Sequence, residues 1–254
     1  MIKIFRKIRY DLMKQNKTEK PAFPAGRYFK YAIGEIVLVV FGILIALQIN
    51  TWNLNRINKK NEKLLLKELH QEFQSNKTQF DTVKFYHNRS FQSVKYVKSK
   101  LPIDMEQVNL DSLAYHLLYM GWNYTFNPSK GVTNALMNSS TFNLISNDEL
   151  RNLLIRWDDV VSDYQEEEIL ARNNYHNHIK PFEKKHFYYV NDYKKWLNDP
   201  RIDLTILESI EFDNYVLDRF IDLKEIVNNS DGELENVTNT IDKIIELSNP
   251  NNYD

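Results

Sequence analysis

The stretch "YAIGEIVLVVFGILIALQINTWN", residues 31–53, decides the fold of the first part of the chain, because Glu35 is its only charged residue. As an α-helix, residues 31–49 would extend about 28 Å at ~1.5 Å per residue, close to the roughly 30 Å hydrocarbon core of a bilayer. A cleaved signal peptide is a poor alternative, because its basic region would be unusually long and no small-residue cleavage site follows "ALQIN". The pattern predicts a transmembrane helix rather than the buried helix of a soluble protein.

The charges on either side of this span predict its orientation. Residues 1–30 carry nine Lys and Arg residues against two acids. The basic residues that follow the span closely are Arg56, Lys59, Lys60, Lys63 and Lys67. Because the more basic flank stays in the cytoplasm, we expect a signal anchor with its N-terminus in the cytoplasm and its body outside. The expected domains are an arm (1–27), the span (28–52) and an extracytoplasmic body (53–254).

The arm begins with "MIKIFRKIRYDLM", in which apolar residues at helical spacing alternate with basic ones. This pattern predicts an amphipathic helix that lies on the anionic inner surface of the membrane. Basic arms also bind nucleic acid, but the apolar face and the adjoining span favour the lipid bilayer as partner, and we expect no nucleic acid.

Within the span, Glu35, Gly42 and Ala46 fall on one helical stripe. Gly42 and Ala46 form a small-xxx-small pair, which lets membrane helices approach closely. Two interpretations are open: the stripe packs on a second copy of the chain or on another membrane protein, or the span is a lone anchor. These three residues are the only candidate site residues that the span offers.

The body begins with apolar residues in one heptad frame: Leu66, Leu69, Phe73, Phe80, Val83, Val94, Val97 and Leu101. Asn76, His87 and Ser90 interrupt this frame. The periodicity predicts a helix from about residue 54 to residue 100, ended by Pro102. Such a stripe most often forms the core of its own domain, and an intermolecular coiled coil is the alternative.

Shorter helices are predicted between the long ones. Asp111 is the expected cap of a helix that closes at Gly121, and Ser129 is the expected start of another. Ser146 and Glu149 form a capping box that opens a helix through about residue 179, before Pro181. The tyrosine-rich stretch "HFYYVNDYKKWL" is expected to be helical and packed against the others.

The C-terminal part holds a second heptad frame, made by Phe220, Leu223, Val227, Ser230, Leu234, Val237, Ile241 and Ile244. It predicts one long helix, or two nearly continuous ones, over residues 211–248. The overall prediction is an all-α protein: an amphipathic helix, one transmembrane helix and an antiparallel bundle with long first and last helices.

Several kinds of chemistry lack support in the sequence. The chain has no cysteine, so disulfides, thiol catalysis and thiolate metal sites are excluded. His176 and His178 are two residues apart and point to different sides of a helix, so they favour no metal site. The acids of "WDDVVSDYQEEE" are expected on a solvated helix face. We predict no catalytic residue, no cofactor and no metal.

The start "MIKIFRKIR.DLM", the block "KYAIGEIVLVV.GILIALQIN.WN" and, more loosely, "FNPSKGVTNALMNSSTFNLISNDELRNLL" together resemble an uncharacterised membrane-protein family common in Bacteroidota. The resemblance implies a single-pass inner-membrane protein of unknown function and brings no catalytic residues. The first expectation is a non-enzymatic interaction or sensing module of the bacterial cell envelope, with the body in the periplasm. The alternative is a helical sensor that binds a small ligand. The aromatic cluster at Trp122, Tyr124 and Phe126 would line its pocket, although such a cluster more often forms core where short helices cross.

Overall fold

The computed structural model of the protein describes Lys7, Tyr10, residues 24–228 and residues 232–253. This described part contains helices, turns and irregular segments but no β-strand, which confirms the all-α prediction. The chain divides into two compact units, Met1–Asn58 and Lys59–Asp254. Apart from Lys7 and Tyr10, residues 1–23 of the predicted arm lie outside the described residues, so the amphipathic helix remains a prediction.

The first helix, α1, is continuous over Pro24–Lys98. Its apolar part is exposed: the Ile36 side chain is 62% exposed and that of Ile49 is 60% exposed. Among the residues that the structure describes, α1 is the one helix that is long and apolar enough to cross a membrane, by length and composition. The predicted transmembrane helix and the predicted helix of the body therefore form one uninterrupted element.

The body consists of the C-terminal part of α1 together with helices of very different length. The α-helices are α2 (Leu110–Met120), α3 (Gly131–Met137), α4 (Asp148–Asn174), α5 (Lys180–His186), α6 (Ile210–Asn228) and α7 (Glu233–Leu247). Short 3₁₀ turns lie at Ser140–Leu144, Tyr193–Lys195, Leu204–Glu208 and Pro250–Tyr253, and a π-helical turn, Tyr175–Ile179, joins α4 to α5. Helix α4 packs along both α6 and α7 and forms the centre of the bundle.

The heptad residues of α1 form the core of the body, as predicted. All of them from Leu66 to Val97 are at most 6% exposed. The Phe73 ring lies 5.0 Å from the Trp157 ring of α4, and the Phe80 ring lies 5.4 Å from the Tyr164 ring. The apolar stripe is thus covered within the chain, so the intramolecular interpretation is correct for this part of α1.

Two predicted helix caps are wrong. Helix α2 is capped by Asn109, whose side chain accepts from the Ser112 amide, and Asp111 lies inside the first turn. Helix α4 is capped by Asn147 rather than Ser146. The Ser146 amide instead donates to a carboxylate of α1, which removes Ser146 from the capping position.

The segment around Pro181 also differs from the prediction. The helical path continues past Pro181, because the π-helical turn comes directly before it and Pro181 lies in the first turn of α5. In a first turn the missing N–H of proline costs no hydrogen bond. The tyrosine-rich stretch is not an α-helix: α5 ends at His186, and an irregular segment leads to the 3₁₀ turn. Its packing was predicted correctly, since Trp196 is buried.

The C-terminal heptad frame forms two helices, α6 and α7, which is the second of the two predicted arrangements. Gly232 precedes α7 with a φ of 85°, a backbone conformation that glycine adopts without steric cost. Leu223, Val237, Ile241 and Ile244 are buried, so the frame continues to face the core on both sides of this break.

Candidate functional site

The candidate residues of the span lie on the exposed part of α1. Glu35, Gly42 and Ala46 are all exposed to the surroundings of the helix. A Cβ atom added at Gly42 would meet no other atom within 4 Å. The stripe is therefore open to a neighbouring helix, and whether one packs there stays a prediction.

In the body, the polar residues that interrupt the α1 heptads hold the connecting segment, which we define as residues 121–147 between α2 and α4. Asn76 forms two hydrogen bonds with the Ser129 backbone, at 2.9 Å to its carbonyl oxygen and 2.8 Å from its amide. The Glu72 carboxylate accepts from the amides of Val132 and Thr133, at 2.7 and 3.0 Å, and from the Thr133 hydroxyl at 2.6 Å. Glu72 thus takes the free N–H groups at the start of α3.

Two further residues of α1 continue this series. Glu62 accepts from the Ser146 amide at 2.6 Å, near the end of the connecting segment. Ser90 donates to the Trp122 carbonyl oxygen at 3.3 Å, near its beginning. One helix therefore binds the connecting segment at intervals along nearly its whole length, which explains why polar side chains occupy these otherwise apolar positions.

A buried cluster joins α1, α4 and the connecting segment at His87. The His87 Nδ1 atom lies 3.1 Å from the Tyr164 hydroxyl, and Nε2 lies 3.1 Å from the Tyr124 carbonyl oxygen. Because a carbonyl oxygen only accepts, Nε2 carries the proton, and Nδ1 accepts from the tyrosine. Glu168 accepts from the Phe126 amide at 2.9 Å, and its Oε1 atom lies 3.5 Å from His87 Nε2.

Burial determines the protonation of this pair. It lowers the pKa of His87 to about 4 and raises the pKa of Glu168 to about 8. At neutral pH both groups are uncharged, and their 3.5 Å approach is a contact rather than an ion pair. The prediction that this acid run lies on a solvated face is therefore wrong for Glu168, which is 2% exposed.

Arg219 of α6 is the second buried centre. It is fully buried, and its guanidinium donates to the carbonyl oxygens of Met120 (2.8 Å), Ala171 (2.9 Å) and Trp122 (2.9 Å). It also donates to the Asn123 side-chain oxygen at 2.9 Å. Burial lowers the pKa of Arg219 to about 10, so the group stays charged at neutral pH. One cation thereby joins the end of α2, the start of the connecting segment and α4.

Beside Arg219, the carboxyl group of Glu183 accepts from the Tyr175 hydroxyl at 2.9 Å. Burial raises the pKa of Glu183 to about 7. The Tyr175 ring lies 5.3 Å from the Arg219 guanidinium. Gly121 closes α2 as predicted, and its close contact with Tyr175 gives the reason: a Cβ atom there would lie 2.5 Å from the tyrosine hydroxyl.

The aromatic cluster predicted at the start of the connecting segment is divided between core and surface. Phe126 is fully buried against Phe80, with ring centroids 4.7 Å apart. Trp122 and Tyr124 are half-buried and belong to a cluster on the surface. These rings pack on one another and on other aromatic side chains, and whether they also line a ligand pocket stays a prediction.

A groove lies instead at the π-helical turn. It has a volume of about 270 Å³ and is lined by residues of the turn, of α4 and of α6: Asn174, His178, Ile179, Tyr215, Asp218, Ile221 and Asp222. Asn174 donates to both carboxylate oxygens of Asp222, at 3.1 and 3.2 Å. Within the part of the chain that the structure describes, no group of three His, Cys, Asp or Glu side chains is arranged to hold a metal ion.

The connecting segment and the helix that binds it can be compared with known proteins. Residues 35–152 match a family of unknown function, DUF6090. No curated protein and no solved structure matches the chain. The matched residues include the apolar part of α1, its polar contacts at Glu62, Glu72, Asn76, His87 and Ser90, and the whole connecting segment. The match agrees with the resemblance to an uncharacterised family.

The sequence alone identified only part of this network. Asn76, His87 and Ser90 were visible as polar residues in an apolar frame, and this signal located three of the contacts. Arg219 and Glu183 carried no such signal, because charged residues are common on exposed helix faces.

Proposed function

We propose that the chain is a single-pass protein of a bacterial inner membrane, with its N-terminus in the cytoplasm and its helical body in the periplasm. The observation that carries this proposal is the exposed apolar part of α1. Its large apolar side chains are exposed among the residues that the structure describes, and in water so large an apolar surface would be unfavourable. A bilayer supplies the missing apolar surroundings.

The body acts, in this proposal, as a non-enzymatic interaction or sensing module. The buried His87, Glu168 and Arg219 are used to hold backbone atoms of the connecting segment. Catalytic acids and bases must reach a substrate, and these groups are enclosed by the chain. Their arrangement supports a rigid surface rather than a reaction centre.

Reporter fusions at the two ends, combined with membrane fractionation, test this proposal. We expect the chain in the inner-membrane fraction, resistant to alkaline extraction, with a reporter active outside the cytoplasm when it is fused after the body. A body reporter that is active only in the cytoplasm would contradict the orientation, and release by alkaline extraction would contradict the span.

We further propose that the stripe of Glu35, Gly42 and Ala46 packs on another membrane helix. The open space around Gly42 supports this, because no side chain of the described residues lies within 4 Å of a Cβ atom added there, which leaves room for a close approach. Replacing Gly42 by Ile should weaken self-association of the span in a membrane reporter assay. Gly34→Ile is the matched control, since Gly34 is equally open but lies off the stripe. If the unchanged span and the Gly42→Ile and Gly34→Ile variants associate equally, the stripe does not pack on another helix.

The groove at the π-helical turn supports a second candidate function, the binding of a small ligand. Two carboxylates, Asp218 and Asp222, and the Tyr215 ring line it, which suits a small organic cation. Guanidinium and ethylammonium ions at matched ionic strength serve as probes, with sodium as the reference. Ligand-specific stabilisation that Asp218→Asn removes would favour this function, and identical melting in all three salts would argue against it.

A further inference from the structure

A cluster of five aromatic side chains surrounds one arginine on the surface of the body. We call it the arginine–aromatic cluster, and its members, all half-buried, are Tyr86, Arg89, Tyr115, Tyr119, Trp122 and Tyr124. The Arg89 guanidinium carbon lies 3.7 Å from the centre of the Tyr119 ring and 5.4 Å from that of Trp122. The Tyr86 and Tyr124 rings stack at 4.2 Å with an interplanar angle of 8°.

Among the residues that the structure describes, Arg89 donates a hydrogen bond to the Tyr115 hydroxyl at 3.2 Å, and no carboxylate forms an ion pair with it. Arg201 differs from Arg89 because a carboxylate neutralises its charge. It also lies over a tyrosine ring, that of Tyr188 at 4.7 Å, but Asp199 binds it through both carboxylate oxygens at 2.7 and 2.8 Å.

The position of Arg89 is fixed although its charge is not neutralised. A guanidinium has five N–H donors, and stacking on Tyr119 orients the group while leaving its edge available. Such a pre-oriented fork matches the geometry of a carboxylate. The cluster therefore presents a positive charge with free donors at the centre of flat, apolar ring faces.

The rings are also held from behind by the buried network. The Trp122 carbonyl oxygen accepts from Ser90 and Arg219, and the Tyr124 carbonyl oxygen accepts from His87. The backbone that carries these two rings is thus anchored to buried side chains of α1 and α6. A surface that is already ordered loses little entropy when a partner binds.

We infer that the arginine–aromatic cluster is a docking surface for an acidic peptide segment of a partner protein. Trp, Tyr and Arg are the residues that contribute most of the binding energy in protein interfaces, and an unpaired arginine among them selects a carboxylate partner. An anionic membrane surface would instead favour several Lys and Arg side chains together, and this cluster has one. The inference rests on the proposed role as an interaction module and names the chemistry of the partner.

Isothermal titration calorimetry on the full chain in detergent tests this inference. The probe is a peptide of repeated Glu-Glu-Phe units, and its uncharged counterpart has repeated Gln-Gln-Phe units. We expect the acidic peptide to bind and Arg89→Gln to weaken binding by about tenfold or more, the scale of a central interface residue. Added salt should weaken binding as well, because the contact is charged and near the surface.

Arg201→Gln is the matched control, because it removes a ring-stacked arginine whose charge is already neutralised. It should bind the acidic peptide as the unchanged protein does. Trp122→Ala should weaken binding without altering the salt dependence. Melting curves of each variant identify any loss of folding.

Three results would overturn the inference: no binding of the acidic peptide, equal binding of the uncharged peptide, or equal loss in the Arg89 and Arg201 variants. Self-association through the cluster, seen as an Arg89-dependent dimer in sedimentation, would identify a second copy as the occupant and also contradict it. Because peptide binding is measured on purified protein, it does not depend on membrane orientation, so this inference and the proposed location can fail separately.

Discussion

Replacing Glu168 by Gln tests the buried network, because glutamine has the shape of the protonated acid. Glu168 accepts from the Phe126 amide, and a glutamine side-chain oxygen can accept the same bond. Burial raises the pKa of Glu168 in the folded chain to about 8, from an ordinary value of 4.5. A raised pKa in the folded state contributes stability that is fully present below pH 4.5 and is lost as the pH rises through 8. Glutamine does not titrate, so the variant keeps this contribution.

The size of the effect follows from the window between the two pKa values. From pH 5 to pH 7 the carboxyl group is ionised in the unfolded chain and protonated in the folded one. Each pH unit in this range therefore lowers the free energy of unfolding of the unchanged protein by about 1.4 kcal/mol. The stability of the Gln variant relative to the unchanged protein should therefore rise by about 2.5 kcal/mol over this range. Denaturant unfolding of the full chain in detergent at several pH values measures it. Glu166→Gln, on the exposed side of α4, is the matched control for the loss of one carboxylate from this helix.

An ionised Glu168 would give the opposite result. If Glu168 were ionised and paired with a protonated His87, glutamine would leave a buried cation without its partner. The variant would then be less stable than the unchanged protein at neutral pH, by several kcal/mol. A constant or falling stability difference between pH 5 and pH 7 would refute the assignment of two uncharged groups.

Two further substitutions test how the connecting segment is held. Gly121→Ala should lower the free energy of unfolding by about 1–3 kcal/mol, because the added methyl group meets the Tyr175 hydroxyl. Adding Tyr175→Phe to the same chain should recover part of this loss in denaturant unfolding. No recovery would contradict the contact. Glu72→Ala should lower the free energy of unfolding by about 1–3 kcal/mol, since it leaves the amides of Val132 and Thr133 without their acceptor. Hydrogen exchange should show these two amides exchanging faster, and unchanged protection would refute the role of Glu72.

The helices, including the long apolar one, were predictable because they depend on local periodicity and composition. Leu66, Phe73 and Phe80 recur in a frame that only a helix with one buried face explains, and the structure buries all three. The apolar helix was predictable without knowledge of its contacts with distant residues, since its length and composition alone indicate a span. These features come from residues within a few turns of one another.

The caps were predictable only in part, because side chains distant in sequence compete for the same backbone groups. Ser146 had the right spacing with Glu149 for a capping box, but Glu62, 84 residues away, accepts from the Ser146 amide. Asn147 then caps the helix one position later. No local pattern contains the position of Glu62, so the correct boundary required the tertiary structure.

The buried ionisable groups were the least predictable. Arg219 bonds to carbonyl oxygens 96 or more residues earlier in the chain, at Met120 and Trp122. Glu168 resembles its neighbours in an acidic run, yet it alone of the three glutamates is buried. Sequence shows the type of a residue but not what covers it, and these sites exist only because α4, α6 and the connecting segment meet.

The central claim, a membrane anchor with an extracytoplasmic body, is tested most directly by single-cysteine labelling, since the chain has no cysteine of its own. Cysteines introduced one at a time at Lys17 in the arm and at Asn127 in the body are treated in cells with a permeabilised outer membrane, using a membrane-impermeant maleimide. We expect labelling at Asn127 in these cells while the inner membrane is intact, and labelling at Lys17 only after lysis. Labelling at Asn127 that also requires lysis would contradict the extracytoplasmic location of the body.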